Sequence, residues 1–321
     1  CDFNTDNFRK IIDKGRQAMA VIELKKYEDK YLMGIISCLK RNYNRFGCMM
    51  DLDVYKFIKP LVTYDFSEDY SYQKGNYGYV LLEDENVVGF FGMIYYRLKS
   101  ESGKFYTVAN PTAIDDKYRI YIFQVTEALF KEPDIVIDAT PSYKELMIEK
   151  MMFGFMNLSL KKIRFFSMES PSKEKCYITK VSTSSCISDD DVYKKYMDNV
   201  RYGVNCIEIV NELNMKCYVM YNIVFAKKHL ENDGDVIKLA RVLSVSDIKM
   251  FNDLFSEIFN YIKKNEKVSA MECDSMFIEN NEILMREHEE KQYTRIKKYN
   301  TECDIKNFDL LYTEIALRNE Y

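Results

Sequence analysis

Apolar residues recur at the i, i+3, i+4 spacing of an amphipathic helix in two parts of the chain. The first part spans residues 26 to 41 and the second spans residues 247 to 264. Ser244 and Asp247 stand at capping-box spacing, which predicts that the second helix begins close to them. The apolar faces consist of Tyr31, Leu32, Ile35, Ile36 and Leu39 in the first helix and of Phe251, Leu254, Phe255, Ile258, Phe259 and Ile262 in the second.

Between these helices the pattern alternates between strand-like and helical segments. Two apolar runs flank the polar triplet Asp84-Glu85-Asn86, and this arrangement predicts a β-hairpin. A third strand, a helix, a short buried strand and a second helix follow at short separations, which predicts a parallel strand pair joined by a right-handed crossover. The predicted ranges are residues 77–84 and 87–98 for the hairpin, 105–114 for the third strand, 118–131 for the helix, 134–139 for the buried strand and 142–152 for the last helix.

The same order of elements recurs more loosely in the last part of the chain. Aligning Asp116 with Asp247 superposes two predicted helix starts, with an offset of 131 residues (247 minus 116). Residues 171–191 are polar and contain an acidic run, so we interpret them as a linker. The sequence therefore predicts an α/β protein with two mixed-sheet halves in tandem, residues 1–170 and residues 192–321, each flanked by helices.

Composition excludes several classes of protein. Of the 321 residues, 47% are hydrophobic and 30% are charged, with a net charge of -4, so the chain has enough apolar residues for a core and is not of the disordered class. The charge balance disfavours a dedicated nucleic-acid binder, because phosphate recognition needs a basic excess. The short cluster formed by Lys161, Lys162 and Arg164 is interpreted as a solvated face.

The cysteines and histidines argue against metal and nucleophile chemistry. Nine cysteines without a C-x-x-C pair are typical of reduced thiols in the cytoplasm, and they do not form a zinc motif. The two histidines, His229 and His288, do not lie beside a plausible nucleophile. Apolar runs stay below the roughly 18 residues of a membrane span, and a signal peptide is not visible. We therefore expect a soluble cytoplasmic protein that needs neither a metal nor a membrane.

Two segments together resemble the GNAT acyltransferase superfamily. The strand and turn from Ala113 to Arg119 match that family's strand, its acidic and Tyr-Arg turn and its helix start, while Glu149-Lys150 and Gly154-Phe155 match the end of a later helix. The likeness extends over about residues 18 to 165, and over 192 to 315 by element order alone. Tandem GNAT-like proteins associated with bacterial surface-polysaccharide clusters look most similar overall.

The resemblance implies a donor and a site. The co-substrate would be acetyl-CoA or another acyl-CoA, because a helix N-terminus offers free N–H groups and partial positive charge to the pyrophosphate. Ala113 and Ile114 would hold the thioester end, and a backbone N–H there would stabilise the oxyanion. The pyrophosphate would lie against Arg119 and the helix start, formed by Ile120, Tyr121, Ile122 and Gln124. Isoleucines and a glutamine replace the glycines of the family at this helix start.

The family's usual tyrosine acid is also missing from the later helix, and Tyr143 is the candidate to replace it. Asp115 and Asp116 are either bases or helix caps. The second half lacks the arginine and the glycines, so we expect it not to bind CoA. The resemblance implies acyl transfer to an amine or hydroxyl of a small molecule, such as an amino sugar. The alternatives are a non-catalytic binding protein of this fold and a Fem-type aminoacyl-tRNA-dependent transferase.

Overall fold

A computed structural model gives the architecture of the chain. It describes residues 19–25, 30–63, 76–97, 105–121, 135–138, 147, 150–157, 161–168, 175–185, 187–230, 235–279, 283, 288–292, 295–298 and 311. The chain divides into two compact units. The first unit comprises Cys1–Asp138, Ser142–Met156 and Ile296–Cys303, and the second comprises Ala139–Pro141, Asn157–Arg295 and Asp304–Tyr321.

Strands dominate the described residues of both units. In chain order the strands are β1 (Met19–Lys25), β2 (Asn76–Glu83), β3 (Asn86–Arg97), β4 (Phe105–Ile114), β5 (Ile135–Asp138), β6 (Met156–Asn157), β7 (Lys161–Phe165), β8 (Cys176–Lys180), β9 (Asn205–Asn211), β10 (Lys216–Lys227), β11 (Val236–Val245), β12 (Ala270–Asp274), β13 (His288–Gln292) and β14 (Arg295–Lys298). The helices whose bounds the structure gives are α1 (Leu32–Asn42), α2 (Asn44–Gly47), α3 (Asp51–Thr63), α4 (Asp190–Asn199), α5 (Ile248–Asp253) and α6 (Phe255–Glu266).

The first unit is built on a seven-stranded sheet in the order β1-β2-β3-β4-β5-β14-β6. Strands β1 to β4 pair antiparallel with their neighbours, and β4 pairs parallel with β5. The predicted hairpin is confirmed: β2 and β3 are joined at Asp84 and Glu85, both with positive φ, as the tightly twisted hairpin turns require. The parallel pairing of the third strand with the short buried strand is also confirmed.

Helix α1 packs closely on the first sheet. It buries Ile35, Ile36 and Leu39, as the apolar spacing predicts. Gly34 makes the close approach possible, since a Cβ at this position would lie 2.5 Å from the Val87 Cγ2 atom on β3. A second apolar cluster of this unit consists of Met19, Tyr79, Leu81, Val88, Phe91, Met93, Ile114, Tyr118, Val136, Phe153 and Phe155.

The second unit repeats this plan with a seven-stranded sheet in the order β8-β9-β10-β11-β12-β7-β13. Strands β8 to β11 form an antiparallel meander, and β11 pairs parallel with β12. Aromatic rings join the sheet to the helices that follow β11: Phe165 meets Phe255 edge-on at 5.0 Å between centroids, and Phe255 meets Phe251 at 5.3 Å. The two-sheet α/β fold class predicted from the sequence is confirmed.

The helix predicted over residues 247–264 is in fact two helices. Helix α5 ends at Asp253, Leu254 leaves the helical conformation, and α6 begins at Phe255. Asn252 gives a physical reason for the break. Its buried amide donates to the Ile248 carbonyl at 2.6 Å and to the Phe277 carbonyl at 2.8 Å, so a side chain competes with the backbone for helical acceptors.

The two sheets share an unusual feature of strand order. In the first sheet, β14 lies next to β5, although it begins 157 residues after β5 ends (295 minus 138). In the second sheet, β7 lies between β12 and β13 and pairs antiparallel with both. In each sheet, therefore, the strand in the sixth position lies far along the sequence from the strand in the fifth. The first sheet is interrupted along the chain by the second, whose strands β7 to β13 are consecutive.

Candidate functional site

The candidate site of the first unit lies on β4 beyond its described pairing with β5. Among the described residues these strands pair at three positions, from Tyr106↔Ile135 to Val108↔Ile137. Beyond Val108, β4 continues as far as Ile114 and is paired with β3. The backbone on the β5 side of this stretch has no strand partner among the described residues. We call the β5 side of Ala109–Ile114 the first wedge.

A β-bulge lies inside the first wedge. Phe91 pairs with Thr112 and Met93 pairs with Ala109, so Asn110 and Pro111 on β4 stand opposite the single residue Gly92 on β3. A bulge inserts one extra residue, bends its strand and redirects the backbone groups that follow. The bulge therefore bends β4 within the first wedge.

Ala113 and Ile114, the residues predicted to hold the thioester end, lie at the C-terminal end of β4, beyond its last described pair with β5. Both are buried, and they pair with Phe90 and Gly89 of β3. The Cys38 thiol of α1 lies 3.8 Å from the Ala113 carbonyl oxygen. Burial, followed by the charge of Asp115, raises the pKa of Cys38 to about 12, so the thiol keeps its proton and donates to that carbonyl.

Asp115 is held away from the start of the following turn. Its carboxylate accepts hydrogen bonds from Arg41 Nη2 at 2.9 Å, from Arg41 Nε at 3.2 Å and from Asn42 Nδ2 at 2.8 Å. Although Asp115 occupies the cap position of the 3-10 turn Asp116–Tyr118, its side chain makes no capping bond. Asp115 is therefore fixed by α1, and the first N–H groups of the turn are left without its carboxylate.

The predicted pyrophosphate residues have different surroundings. Arg119 is exposed and pairs with Asp116 at 2.5 Å, across one turn. Ile120 is 72% exposed, and Tyr121 is half-buried against the apolar cluster of the first unit. Ile120 and Tyr121 are helical, so a helix starts where the sequence predicts one. The remaining predicted site residues, Ile122, Gln124 and Tyr143, lie outside the described residues.

Sequence reasoning missed the residues that anchor this turn to the sheet. The buried Tyr118 donates its hydroxyl to Glu83 on β2, and Lys117 Nζ pairs with the same carboxylate at 3.1 Å. Burial raises the pKa of Tyr118, and the Glu83 carboxylate adds to the effect. Arg41 and Asn42 lie at the C-terminal end of α1, directly after its apolar positions. From that place in the sequence, they could have been suspected as polar contacts of the site.

The second unit contains a corresponding opening with a different electrostatic character. Strands β11 and β12 pair from Leu239↔Ala270 to Arg241↔Glu272 and then separate, and Leu243 forms a bulge on β11. Helix α5 begins at Ile248, with Asp247 as its cap: the Asp247 carboxylate accepts from the Met250 N–H at 2.9 Å. Ser244, the first residue of the predicted capping box, is instead buried within β11.

The interpretation of Lys161, Lys162 and Arg164 as a solvated face is wrong for Arg164. Arg164 is only 3% exposed and pairs with the buried Glu272 at 2.5 Å. Lys161 does lie at the surface, paired with Glu290 at 2.7 Å. The error has a simple cause: a basic residue on a strand can be buried when a carboxylate lies opposite it, as Glu272 lies opposite Arg164.

The described residues contain no group of three or more potential metal ligands placed to bind one ion. None of the helices they form combines the length and apolar character that crossing a bilayer requires.

Comparison with known proteins supports the fold at low sequence identity. No protein-family model and no curated protein sequence matches the chain. Among solved structures, it resembles an Enterococcus faecalis V583 protein of unknown function described as a probable N-acyltransferase, with a TM-score of 0.54, 10% identity, and coverage of 88% of this chain and 73% of that chain. That likeness shows that the GNAT-like fold expected from the sequence is the fold of this chain.

Two further structures align with lower TM-scores. Saccharomyces cerevisiae N-myristoyltransferase with bound myristoyl-CoA aligns at a TM-score of 0.44 with 7% identity, covering 92% of this chain and 84% of that chain. A GCN5-related N-acetyltransferase from Kribbella flavida aligns at 0.49 with 9% identity, covering 87% of this chain and 72% of that chain.

Proposed function

We propose that this chain is an acyltransferase that takes its acyl group from acyl-CoA and binds that donor in the first wedge. The observation that carries the proposal is that β4 continues from Val108 to Ile114 with no described strand partner on its β5 side, and that it bulges at Asn110-Pro111. A strand edge of this kind offers backbone N–H and C=O groups to the amides of an extended pantetheine chain. Acetyl is the simplest acyl group for this role.

The contrast between the two helix starts supports the choice of the first unit. At the second helix start, the Asp247 carboxylate already occupies the N–H of Met250, so an anion there would meet a like charge. At the first, Arg41 and Asn42 hold the carboxylate of Asp115 away from the turn. The carboxylate of Asp116 in the same turn is paired with Arg119 and, among the described residues, does not cap the turn. The backbone N–H groups and the partial positive charge of the first helix start therefore favour a phosphate.

The chemistry follows from the donor. A nitrogen or oxygen of the acceptor attacks the thioester carbonyl, a backbone N–H near Ala113 and Ile114 stabilises the oxyanion, and the carbon–sulfur bond then breaks. The acceptor loses a proton, and the CoA thiolate leaves and is protonated, a step for which we propose Tyr143. The acceptor is proposed to be a small molecule with an amine or hydroxyl, such as an amino sugar. A cytoplasmic location remains a prediction from the cysteine pattern.

Calorimetric titration with CoA tests the donor site. Arg119→Ala should weaken CoA binding by about 1.5–3 kcal/mol, the range for hydrogen bonds to charged groups, which corresponds to roughly 10- to 150-fold in Kd. Arg119 is exposed, so the fold should not change. Lys249→Ala is the matched control, because it removes an exposed cation from the first turn of α5 and should leave CoA affinity unchanged.

Three results would contradict the proposal. Equal CoA affinity in wild type and Arg119→Ala would remove the pyrophosphate role of Arg119. Loss of binding in Lys249→Ala alone would transfer the donor site to the second unit. Absence of binding in the wild-type protein would favour the non-catalytic or the aminoacyl-tRNA-dependent alternative.

A further inference from the structure

A row of charged side chains crosses one face of the second sheet. Strand register places Glu289 of β13 opposite Arg164 of β7, Arg164 opposite Glu272 of β12, and Glu272 opposite Arg241 of β11. The charges alternate in sign along the row. Phe165 packs against the α6 ring of Phe255, so its neighbour Arg164 and the whole row lie on the face away from α6.

Glu272 is the centre of this row and is almost fully buried. Its Oε2 atom accepts from Arg164 Nε at 3.1 Å and Nη2 at 2.5 Å, and its Oε1 atom accepts from Arg241 Nε at 2.7 Å. Lys162 Nζ lies 3.6 Å from the same Oε1 atom. Burial alone would raise the pKa of Glu272, but Lys162, Arg241 and Arg164 hold it well below its usual range, so the carboxylate is ionised.

Three cations, Arg164, Arg241 and Lys162, approach the carboxylate of Glu272. Arg164 is shared with Glu289, which faces it across the β7–β13 register and whose pKa it helps to lower. Burial lowers the pKa of Lys162, and it raises the pKa of Asp274, the next carboxyl on the same strand face, to about 7. Burying ions costs free energy that their mutual attraction often fails to recover. A bound anion would add a favourable partner for the cations beside Glu272.

The two arginines differ in how their donors are used. Arg164 gives Nε and Nη2 to Glu272 and gives Nη1 to the Lys227 and Lys228 carbonyls at 2.5 and 2.9 Å, so it is a structural cross-link. Arg241 gives only Nε to Glu272. A guanidinium carries five N–H donors. In the part of the chain that the structure describes, no residue accepts a hydrogen bond from the other four N–H donors of Arg241.

Arg241 also stands where the strands separate. Arg241↔Glu272 is the last parallel pair of β11 and β12, so this guanidinium lies at the apex of the second unit's opening. Its side chain is 15% exposed and that of Lys162 is 22% exposed, whereas Glu272 is 1% exposed. Solvent therefore reaches both cations but hardly reaches the carboxylate between them.

We propose that Arg241 and Lys162 form a binding site for the oxyanion of a small ligand, a carboxylate or a phosphate group, at the apex of the β11–β12 opening. A planar fork of N–H donors suits either oxyanion, and a second cation within 3.6 Å of the shared Oε1 atom adds a charge-assisted bond. The site belongs to the second unit and does not depend on acyl-CoA binding in the first wedge.

Calorimetric titration with two probes, succinate and inorganic phosphate, tests the site at constant ionic strength maintained with sodium chloride. We expect saturable binding of at least one probe to the wild-type protein and at least tenfold weaker binding to Arg241→Gln. Lys216→Gln is the control, because Lys216 forms a surface pair with Glu208 at 2.8 Å in the same unit. Lys216→Gln and Arg119→Ala should both bind like wild type, which separates this site from the donor site.

Lys162→Met provides a second test should Arg241→Gln fail to fold, since Lys162 makes the longer contact with Glu272. It should also weaken probe binding at least tenfold. Binding of succinate alone would identify a carboxylate ligand, and binding of phosphate alone would identify a phosphate ligand. Failure of both probes to bind the wild-type protein, or unchanged affinity in the folded variants, would show that the charged row is structural and overturn the proposal.

Discussion

At the scale of single residues, Asp274 ties the stability of the second unit to pH. Its pKa rises from 3.8 to about 7 through burial, opposed in part by the Met276 N–H and by Lys162 and increased by Glu272. The folded state then binds the proton more tightly than the unfolded state. The stabilisation that this group contributes is therefore fully present below pH 3.8. It decreases as the pH rises from 3.8 to about 7, and it does not change further above about 7. Asp274→Asn keeps an acceptor for the Met276 N–H but cannot ionise. Between pH 5 and pH 8, wild type should lose about 3 kcal/mol of unfolding free energy relative to Asp274→Asn. Urea unfolding at both pH values measures the difference, and parallel pH profiles would show that Asp274 does not titrate in this range.

At the scale of elements, the fit of α1 on β3 controls the geometry of the first wedge. A Cβ on Gly34 would lie 2.5 Å from Val87 Cγ2, and valine is too short and stiff to move aside, so Gly34→Ala should displace α1. Overpacking of this kind costs about 1–3 kcal/mol, against a gain of about 1 kcal/mol in helix propensity. We expect a net loss of stability and weaker CoA binding, because α1 carries the Arg41 and Asn42 groups that hold Asp115.

Gly47→Ala is the control, since its Cβ would meet only the Lys40 carbonyl at 3.4 Å. Urea unfolding and CoA titration measure the two effects; equal stability of both variants would show that the contact at Gly34 is not limiting.

The same scale shows what the sequence could predict. Helix α1, the β2–β3 hairpin and the β4–β5 pair follow from local spacing and turn residues, so the pattern finds them. The bulge at Asn110-Pro111 and the capture of Asp115 by Arg41 depend on partners 18 to 74 residues away in sequence, which periodicity does not encode. The burial of Arg164 was missed for the same reason, because its partner Glu272 is 108 residues distant.

At the scale of the whole molecule, β7 and β14 make the two sequence halves interdependent. Each of these strands lies on the opposite side of the predicted linker from most of its own sheet. The predicted linker, residues 171–191, follows β7, which belongs to the second sheet, while β14 of the first sheet comes 104 residues after the linker ends (295 minus 191). A chain cut once within the linker should therefore not separate, since each fragment holds a strand that completes the other fragment's sheet. Limited proteolysis followed by size-exclusion chromatography should show a nicked protein that elutes as one species in native buffer and as two in denaturant. As a control, the uncut chain should elute at the native position of the nicked protein. Separation in native buffer would mean that β7 and β14 contribute little to their sheets.

The position of β14 also has a consequence for synthesis on the ribosome. Domains of multi-domain proteins generally fold from the N-terminus onward as the chain emerges, at about 5–20 residues per second. Strand β5 ends at Asp138 and β14 begins at Arg295, 157 residues later (295 minus 138), so the first sheet waits roughly 8–30 s for its missing strand. During that interval the exposed edge of β5 is open to pairing with other nascent chains. A premature stop codon just before residue 295 would thus leave its defect in the sheet that was translated first.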